Sequence, residues 1–364
     1  MKIAALLAGL IGIILVGCSN DLPTGVEQPQ IIDATSATAA ADALAATRTA
    51  NDVQEKVAAT LRASTQTTAP PDPTTESAST LSKVLDQVLP LSEDHYSKGT
   101  YYAKDGQYEN AIQEFDQAIQ LDPDHAKAYY NRGASYFYLG QDQTAINDYT
   151  MAIQLDPDHY GAYNNRGISY SNLGQYATAI NDYTKAIQLN PDDANAYNNR
   201  GTSHSDLGQY QTAINDYTKV IQLNPDYANA YYNRGISYFY LGQDQTAIND
   251  YTKAIQLNPD DADAYNNRGV SYENLGQYQT AINDYTKAIQ LDPYDASAYY
   301  NRGISYSALG QDQTAINDYT KAIQLDPYDA GAYYRRGIAY RNLGQYQTAN
   351  ADDAITCLLE SSYC

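Results

Sequence analysis

The chain has 364 residues, with 22 Lys and Arg against 43 Asp and Glu, a net charge of −21, three Cys, no Trp and 38 Tyr. Residues 1–91 hold five bases and nine acids, leaving seventeen against thirty-four for the remainder; a surface this negative repels phosphates, so no nucleic-acid ligand is expected. The four His, at 95, 125, 159 and 204, lack metal-ligand and triad spacing, and no glycine-rich phosphate loop is present, so neither enzymatic activity, a metal nor a cofactor is expected.

At the amino end, Met1-Lys2 precede an uncharged run from Ile3 to Val16. Fourteen residues are too few to cross a bilayer's hydrocarbon core as a helix, but they suit the apolar region of a signal peptide, placed at 1–17. The run ends in Leu15-Val16-Gly17-Cys18, which resembles the lipobox of bacterial lipoproteins. That resemblance implies cleavage before Cys18, lipidation of its thiol and stable membrane anchoring by several acyl chains. Ser19 rather than Asp after the Cys implies, by the same resemblance, an extracytoplasmic protein on the outer membrane where the cell has one. The alternative is an ordinary secretory signal with an incidental Cys18.

Residues 18–77 are rich in Ala, Thr, Ser and Pro, with the run Thr65 to Pro73 least able to fold, and read as a flexible tether with a helical piece around Val53, Val57 and Leu61. Leu81, Val84, Leu85, Val88 and Leu89 then form an apolar stripe that stops at Pro90. A solenoid's first repeat exposes an apolar face, so residues 78–91 are assigned as an amino-terminal capping helix. A membrane-surface helix would carry Lys and Arg on its polar face, and this one does not.

From Ser92 to the end, glycines recur every 34 residues in two columns, Gly99 to Gly337 and Gly106 to Gly344, and prolines in a third, Pro123 to Pro327. A fixed period of this length signals a repeat architecture. In the unit Ala126–His159, Ala128 to Tyr136 begins one helix, Leu139-Gly140-Gln141 makes a turn, and Thr144 to Leu155 forms a second helix. Asp156-Pro157-Asp158 stops it, and an Asp caps the next. These units resemble tetratricopeptide repeats: Tyr129 stands where that family usually has Trp, Gly133, Tyr136, Ala145, Tyr149, Ala152 and Pro157 match its other signature columns, and Arg132 replaces a common Leu. The resemblance covers eight units over 92–364 and implies an all-α, right-handed superhelical solenoid. Gly133, Ala145 and Ala152 allow close helix approach, and Tyr129, Tyr136, Ile146, Tyr149, Ile153 and Leu155 fill the gaps as core. The last unit has Asp353 and Thr356 where the others have Tyr and Ala, as expected of a carboxy-terminal cap.

Seven arginines, Arg132 to Arg336, match seven aspartates, Asp148 to Asp352, unit for unit, and the first unit carries Lys98 with Glu114. This predicts helix-to-helix ion pairs within or between neighbouring repeats. In the resembled family the first helices line a concave groove that holds an extended peptide. Asn131, Asn165, Asn199, Asn233, Asn267 and Asn301 are similar to the asparagine ladder in the repeats of O-linked N-acetylglucosamine transferases, whose amides can grip a peptide backbone. The alternative is that Asn merely solvates the inner wall. Tyr130, Phe137 and Tyr138 recur as Tyr232, Phe239 and Tyr240, while the last two columns elsewhere hold Ser171-Asn172, Ser205-Asp206, Glu273-Asn274, Ser307-Ala308 and Arg341-Asn342, giving two aromatic patches for apolar anchors or, alternatively, extra interhelix packing. The carboxylate clamp of heat-shock co-chaperones is not carried over, since Asn266 and Gly331 occupy its lysine positions and Val270 one of its Asn positions. Cys357 and Cys364, if both helical, would lie about 10 Å apart, too far for a disulfide, so a bond between them requires the tail to leave the helix, and the alternative is an intermolecular bond through Cys364.

These features predict a membrane-tethered, non-catalytic scaffold that binds a protein or peptide in its groove, with acidity favouring a basic partner. The alternative is a structural spacer with no specific ligand.

Overall fold

The computed structural model describes residues 75–360, and sixteen helices and no strand are found among them. The expected signal peptide, Cys18 and nearly all of the tether lie outside the described residues. The chain divides between Leu207 and Gly208 into two compact units. The first contains α1 (Thr75–Lys104), α2 (Tyr108–Leu121), α3 (Ala126–Tyr138), α4 (Asp142–Leu155), α5 (Tyr160–Asn172), α6 (Tyr176–Leu189) and α7 (Ala194–Asp206). The second contains α8 (Tyr210–Leu223), α9 (Ala228–Tyr240), α10 (Asp244–Leu257), α11 (Ala262–Asn274), α12 (Tyr278–Leu291), α13 (Ala296–Ala308), α14 (Asp312–Leu325), α15 (Ala330–Asn342) and α16 (Tyr346–Leu359). Within each unit, helices pair in sequence order and each pair packs on the next, which makes the expected all-α helix-turn-helix solenoid.

The turn inside each repeat is set by its second glycine. Gly140 has φ +72°, a left-handed conformation that side chains with a Cβ disfavour. Its N–H donates to the Phe137 carbonyl at 2.8 Å and that of Gln141 to the Tyr136 carbonyl at 2.9 Å, so two of the last carbonyls of α3 are satisfied as the chain reverses. The turn between repeats is closed by Asp156, whose side chain accepts the Asp158 N–H, but the helix cap sits one residue later than Asp158. His125 and His159 accept from the Ala128 and Ala162 N–H through Nδ1, and Asp193, Asp261, Asp295 and Asp329 do the same work with a carboxylate oxygen.

The paired helices approach closely because the facing residues are small. A Cβ on Gly167 would lie 2.7 Å from the Tyr183 ring, so the tyrosine fills the volume that the glycine leaves. Tyr149, Tyr251, Tyr285 and Tyr319 are buried against Gly133, Gly235, Gly269 and Gly303 in the same way, beside buried alanines such as Ala145 and Ala152. Burying a ring of this size contributes about 1.5–3 kcal/mol per repeat.

The amino-terminal boundary differs from the expectation. The chain does not break at Pro90: α1 runs through it, joining the assigned 78–91 segment to the first helix of repeat one and beginning before residue 78. Proline in a helix interior removes one backbone hydrogen bond and costs about 3 kcal/mol. The packing that follows offsets this loss, since Ser92 Oγ donates to the Ala118 carbonyl at 2.9 Å and Tyr96 is buried against Phe115. At the other end α16 stops at Leu359, and Cys357 is disulfide-bonded to a partner outside the described residues.

The arginine column performs two tasks at once. Arg234 grips Asp250 of its own repeat with Nε and Nη2, at 2.7 and 2.8 Å, and donates through Nη1 to the Thr218 hydroxyl of the preceding repeat at 3.0 Å. Arg166, Arg268, Arg302 and Arg336 repeat the arrangement with their own Asp and preceding Thr. Each of these guanidinium groups also lies 5.4–5.7 Å from the ring of a tyrosine one turn earlier, as Arg132 does over Tyr129 and Arg234 over Tyr231. For these arginines the carboxylate pairing falls within the repeat and threonine carries the link between repeats, whereas Arg132 pairs with Asp148 of its own repeat and also donates through Nη1 to Asp116 of the preceding one, which stands in the threonine column. Lys98 and Glu114 do not follow the pattern: Lys98 pairs with Asp94 at 2.8 Å, while His95 Nδ1 donates to Glu114 at 2.6 Å. A lysine ammonium is a point charge on a flexible stem and lacks the planar fork that lets arginine bridge two helices. A double-mutant cycle on Arg234 and Asp250, read by urea unfolding, is expected to give a coupling of about 1–3 kcal/mol, and one on Asp250 and Arg268 less than about 0.5 kcal/mol.

Candidate functional site

The first helices carry the residues singled out for binding. Within them the asparagine column is largely internal: Asn131, Asn165, Asn199 and Asn301 are buried, with at most 3% of their surface exposed. Each amide donates to the residue 35 positions earlier, in the preceding repeat. Asn131 Nδ2 donates to Tyr96 Oη at 3.1 Å, Asn165 to Tyr130 Oη at 2.9 Å, Asn199 to Asn164 Oδ1 at 3.3 Å and Asn301 to Asn266 Oδ1 at 3.2 Å. Asn267 makes the same bond to Tyr232 Oη at 2.9 Å but stays half-buried, as does Asn233. The ladder is therefore a stitch between repeats. Buried amides of this kind cannot grip a peptide in this conformation, which corrects the binding assignment of Asn131, Asn165, Asn199 and Asn301.

Tyr130 is corrected on the same ground, being 1% exposed and packed against Tyr149 and His159. Burial pushes its phenol above the ordinary value, while the hydrogen bond from Asn165 works in the opposite direction. Tyr232 is half-buried and shares this column.

The two aromatic patches lie at the edge where each repeat turns. Tyr138 stacks on Tyr108, the first residue of the preceding repeat's second helix, with centroids 4.7 Å apart and planes within 4°. Tyr240 stacks on Tyr210 in the same way, at 4.8 Å and 9°. Phe137 and Phe239 stand edge-on to Tyr138 and Tyr240. Tyr240 nevertheless keeps 53% of its surface exposed, so Phe239 and Tyr240 present one face to solvent.

The partners of these tyrosines are 30 residues apart, and the same spacing pairs polar residues in other repeats. Asn172 Nδ2 donates to Asp142 at 3.2 Å, Asn274 to Asp244 at 3.0 Å and Asn342 to Asp312 at 3.0 Å. Burial raises the Asp142 carboxyl, and the hydrogen bond from Asn172 partly offsets it. Sequence reasoning did not find this rule. Its signal is that Tyr opens the second helix where Tyr closes the next first helix, and Asp does so where Asn follows. The column of Phe137 behaves similarly, because Glu273 accepts from Ser305 Oγ at 2.8 Å and Ser171 contacts Ser203 Oγ at 2.9 Å, each reaching the next repeat. Burial raises the Glu273 carboxyl, and the bonds from Ser305 and Tyr285 act against that shift.

The repeats that build this geometry match the models of one family in sequence. A model described as TPR repeat matches residues 99–140, 203–242 and 237–276. Two models described as tetratricopeptide repeat match residues 126–159, 160–193, 262–295 and 296–329, and residues 182–215 and 318–349. Together the matches run from residue 99 to residue 349, and the chain belongs to the tetratricopeptide repeat family, whose fold typically serves as a non-catalytic protein-interaction scaffold. A comparison with curated proteins finds no match. Among solved structures, a tetratricopeptide repeat protein from Parabacteroides merdae ATCC 43184 is 22% identical, with a TM-score of 0.52 over 71% of this chain and 99% of that one. MamA is 29% identical, with a TM-score of 0.44 over 47% of this chain and 94% of that one. YrrB, described as a TPR protein with an unusual peptide-binding site, is 25% identical, with a TM-score of 0.45 over 50% of this chain and 95% of that one.

The edge pairs can be exchanged as units. Tyr240→Asn alone is expected to cost about 0.5–1.5 kcal/mol in urea unfolding through loss of the ring stack. Tyr210→Asp added to it recreates the pair found at Asp244 and Asn274 and is expected to recover at least half of that loss.

Proposed function

We propose that the protein is a lipid-anchored, non-catalytic scaffold outside the cytoplasm that recruits a protein partner carrying a basic segment. The observation that carries this reading is the charge of the repeats, seventeen bases against thirty-four acids, seven of whose bases are the arginines of the repeat-to-repeat columns. Most arginines are thus spent on internal pairing, while acids such as Asp226 and Asp260 in the turns face solvent. Such a surface attracts cationic partners and makes association sensitive to salt. Phe239 and Tyr240, with half-buried Asn233 and Asn267, are the groups among the sequence-assigned residues that remain available to a partner in the second unit. The lipobox-like Leu15-Val16-Gly17-Cys18 supports anchoring through Cys18, and the family supports a protein or peptide ligand.

One observation favours the spacer as a second reading. Tyr138 and Tyr240 are engaged with the preceding repeat, so near-identical units can set length without any ligand.

Capture from envelope extract by the immobilised full chain separates the two readings. A scaffold is expected to retain a basic protein at low salt and release it at high salt, with capture reduced at least about tenfold by Asp226→Lys together with Asp260→Lys. No salt-sensitive capture by the wild-type chain would leave the spacer. Anchoring is checked separately: cells expressing the full chain are expected to label it with palmitate and retain it in the detergent phase, and Cys18→Ser to abolish both.

A further inference from the structure

In the first unit, the tyrosine stitch gives way to asparagine at Asn164, beside a cavity. Tyr96 packs on His125 at 4.8 Å between centroids, and Tyr130 on His159 at 4.5 Å. One repeat further on, these two columns hold Asn164 and Asp193, both shorter than the pair they replace. A cleft of 310 Å³ opens there, between the first helix of one repeat and the turn leading to the next. Among the residues that line it are Tyr160, Asn164, Asn190, Asp192, Asp193 and Asn195, and its lining contains no Lys or Arg.

The chemistry of this lining is one-sided. Asp193 already caps α7, its Oδ1 accepting the Asn195 and Ala196 N–H at 3.0 and 3.3 Å, so part of its charge is spent on the helix end. Asp192 is exposed on the turn beside it, and Tyr160 shows 42% of its surface at the opposite wall. Gly161, also in the lining, adds no side chain to narrow the space. The cleft therefore offers carboxylate and amide oxygens together with an aromatic ring, and nothing that would neutralise a negative charge.

We propose that this cleft receives an arginine side chain of the basic partner. A guanidinium presents five N–H donors in a plane, which suits several oxygen acceptors around one cavity, and its faces stack on tyrosine. A lysine ammonium supplies charge without that planar match. The assignment rests on the scaffold reading and adds the side-chain chemistry of its ligand and the place where that ligand is held.

The sister repeats supply the test. Asn164→Tyr installs the residue that the fold already accommodates at Tyr130, with Asn199 placed to donate to it as Asn165 does to Tyr130, so it fills the cleft while preserving the stitch. A short blocked peptide with a single arginine, and its lysine and citrulline counterparts, are titrated by NMR into the full chain and its variants. The arginine peptide is expected to bind about tenfold more tightly than the citrulline peptide, and more tightly than the lysine peptide. Asn164→Tyr and Asp192→Asn, the latter on an exposed turn where folding is not at risk, are each expected to weaken binding about tenfold. Asp158→Asn, at the matching exposed position of the preceding turn, is expected to leave it unchanged. Equal affinity for arginine and citrulline, wild-type affinity in Asn164→Tyr, or an equal loss in Asp158→Asn would each overturn the assignment. Any of these results alongside retained capture of a protein partner would remove the cleft and leave the scaffold reading intact.

Discussion

A guanidinium held between two second helices is the constraint on which the repeats depend. Arg234 takes both oxygens of Asp250 and the hydroxyl of Thr218, so one side chain joins its own repeat to the one before it. Asp250 is buried, and removing either member would strand a charge where water cannot fully compensate it. Such a pair is not the source of most of the stability, which comes from buried tyrosine and alanine. Its contribution is geometric: a planar fork is satisfied at one helix spacing and one register, and so defines how each repeat is presented to the next.

The asparagine column, one residue before the arginines, supports the same geometry from a different side of the first helix. Its amides donate to a phenol or another amide 35 residues earlier, and either acceptor serves, so the column before it can alternate between Tyr and Asn. That freedom has a spatial consequence. Tyr fills the space beside the following turn and Asn164 leaves it open, which is how a chain of near-identical repeats acquires the cleft in its first unit. The edge pairs obey a comparable rule, with stacked tyrosines and hydrogen-bonded Asp and Asn exchanging within the same slot.

Much of the architecture was legible because it is periodic. Glycine in the turn, proline after the second helix and tyrosine opposite glycine all recur every 34 residues, and each has one local physical meaning. Pro90 was misread because a local rule was applied where tertiary packing prevails: Ser92 and Tyr96 anchor the helix beyond it strongly enough to carry the lost hydrogen bond. The Lys98 and Glu114 substitution was misread because charge sign alone does not specify reach, and Asp94 lies one turn away on the same helix.

The sequence by itself determined the repeat length, the two helices of each unit, the turn glycines and the matching of the arginine column to the aspartate column, because these follow from spacing and from the small set of conformations open to Gly and Pro. Only the tertiary structure decided which side of the first helix is solvent and which is seam. Asn131, Asn165 and Tyr130 have the chemistry of a binding wall, yet neighbouring repeats bury them, since a polar side chain at a repeat interface finds its partner on the preceding helix before any ligand can reach it. The cleft at Asn164 was equally invisible in one dimension, because an empty volume is a property of the residues around it and of the distance at which the backbone holds them.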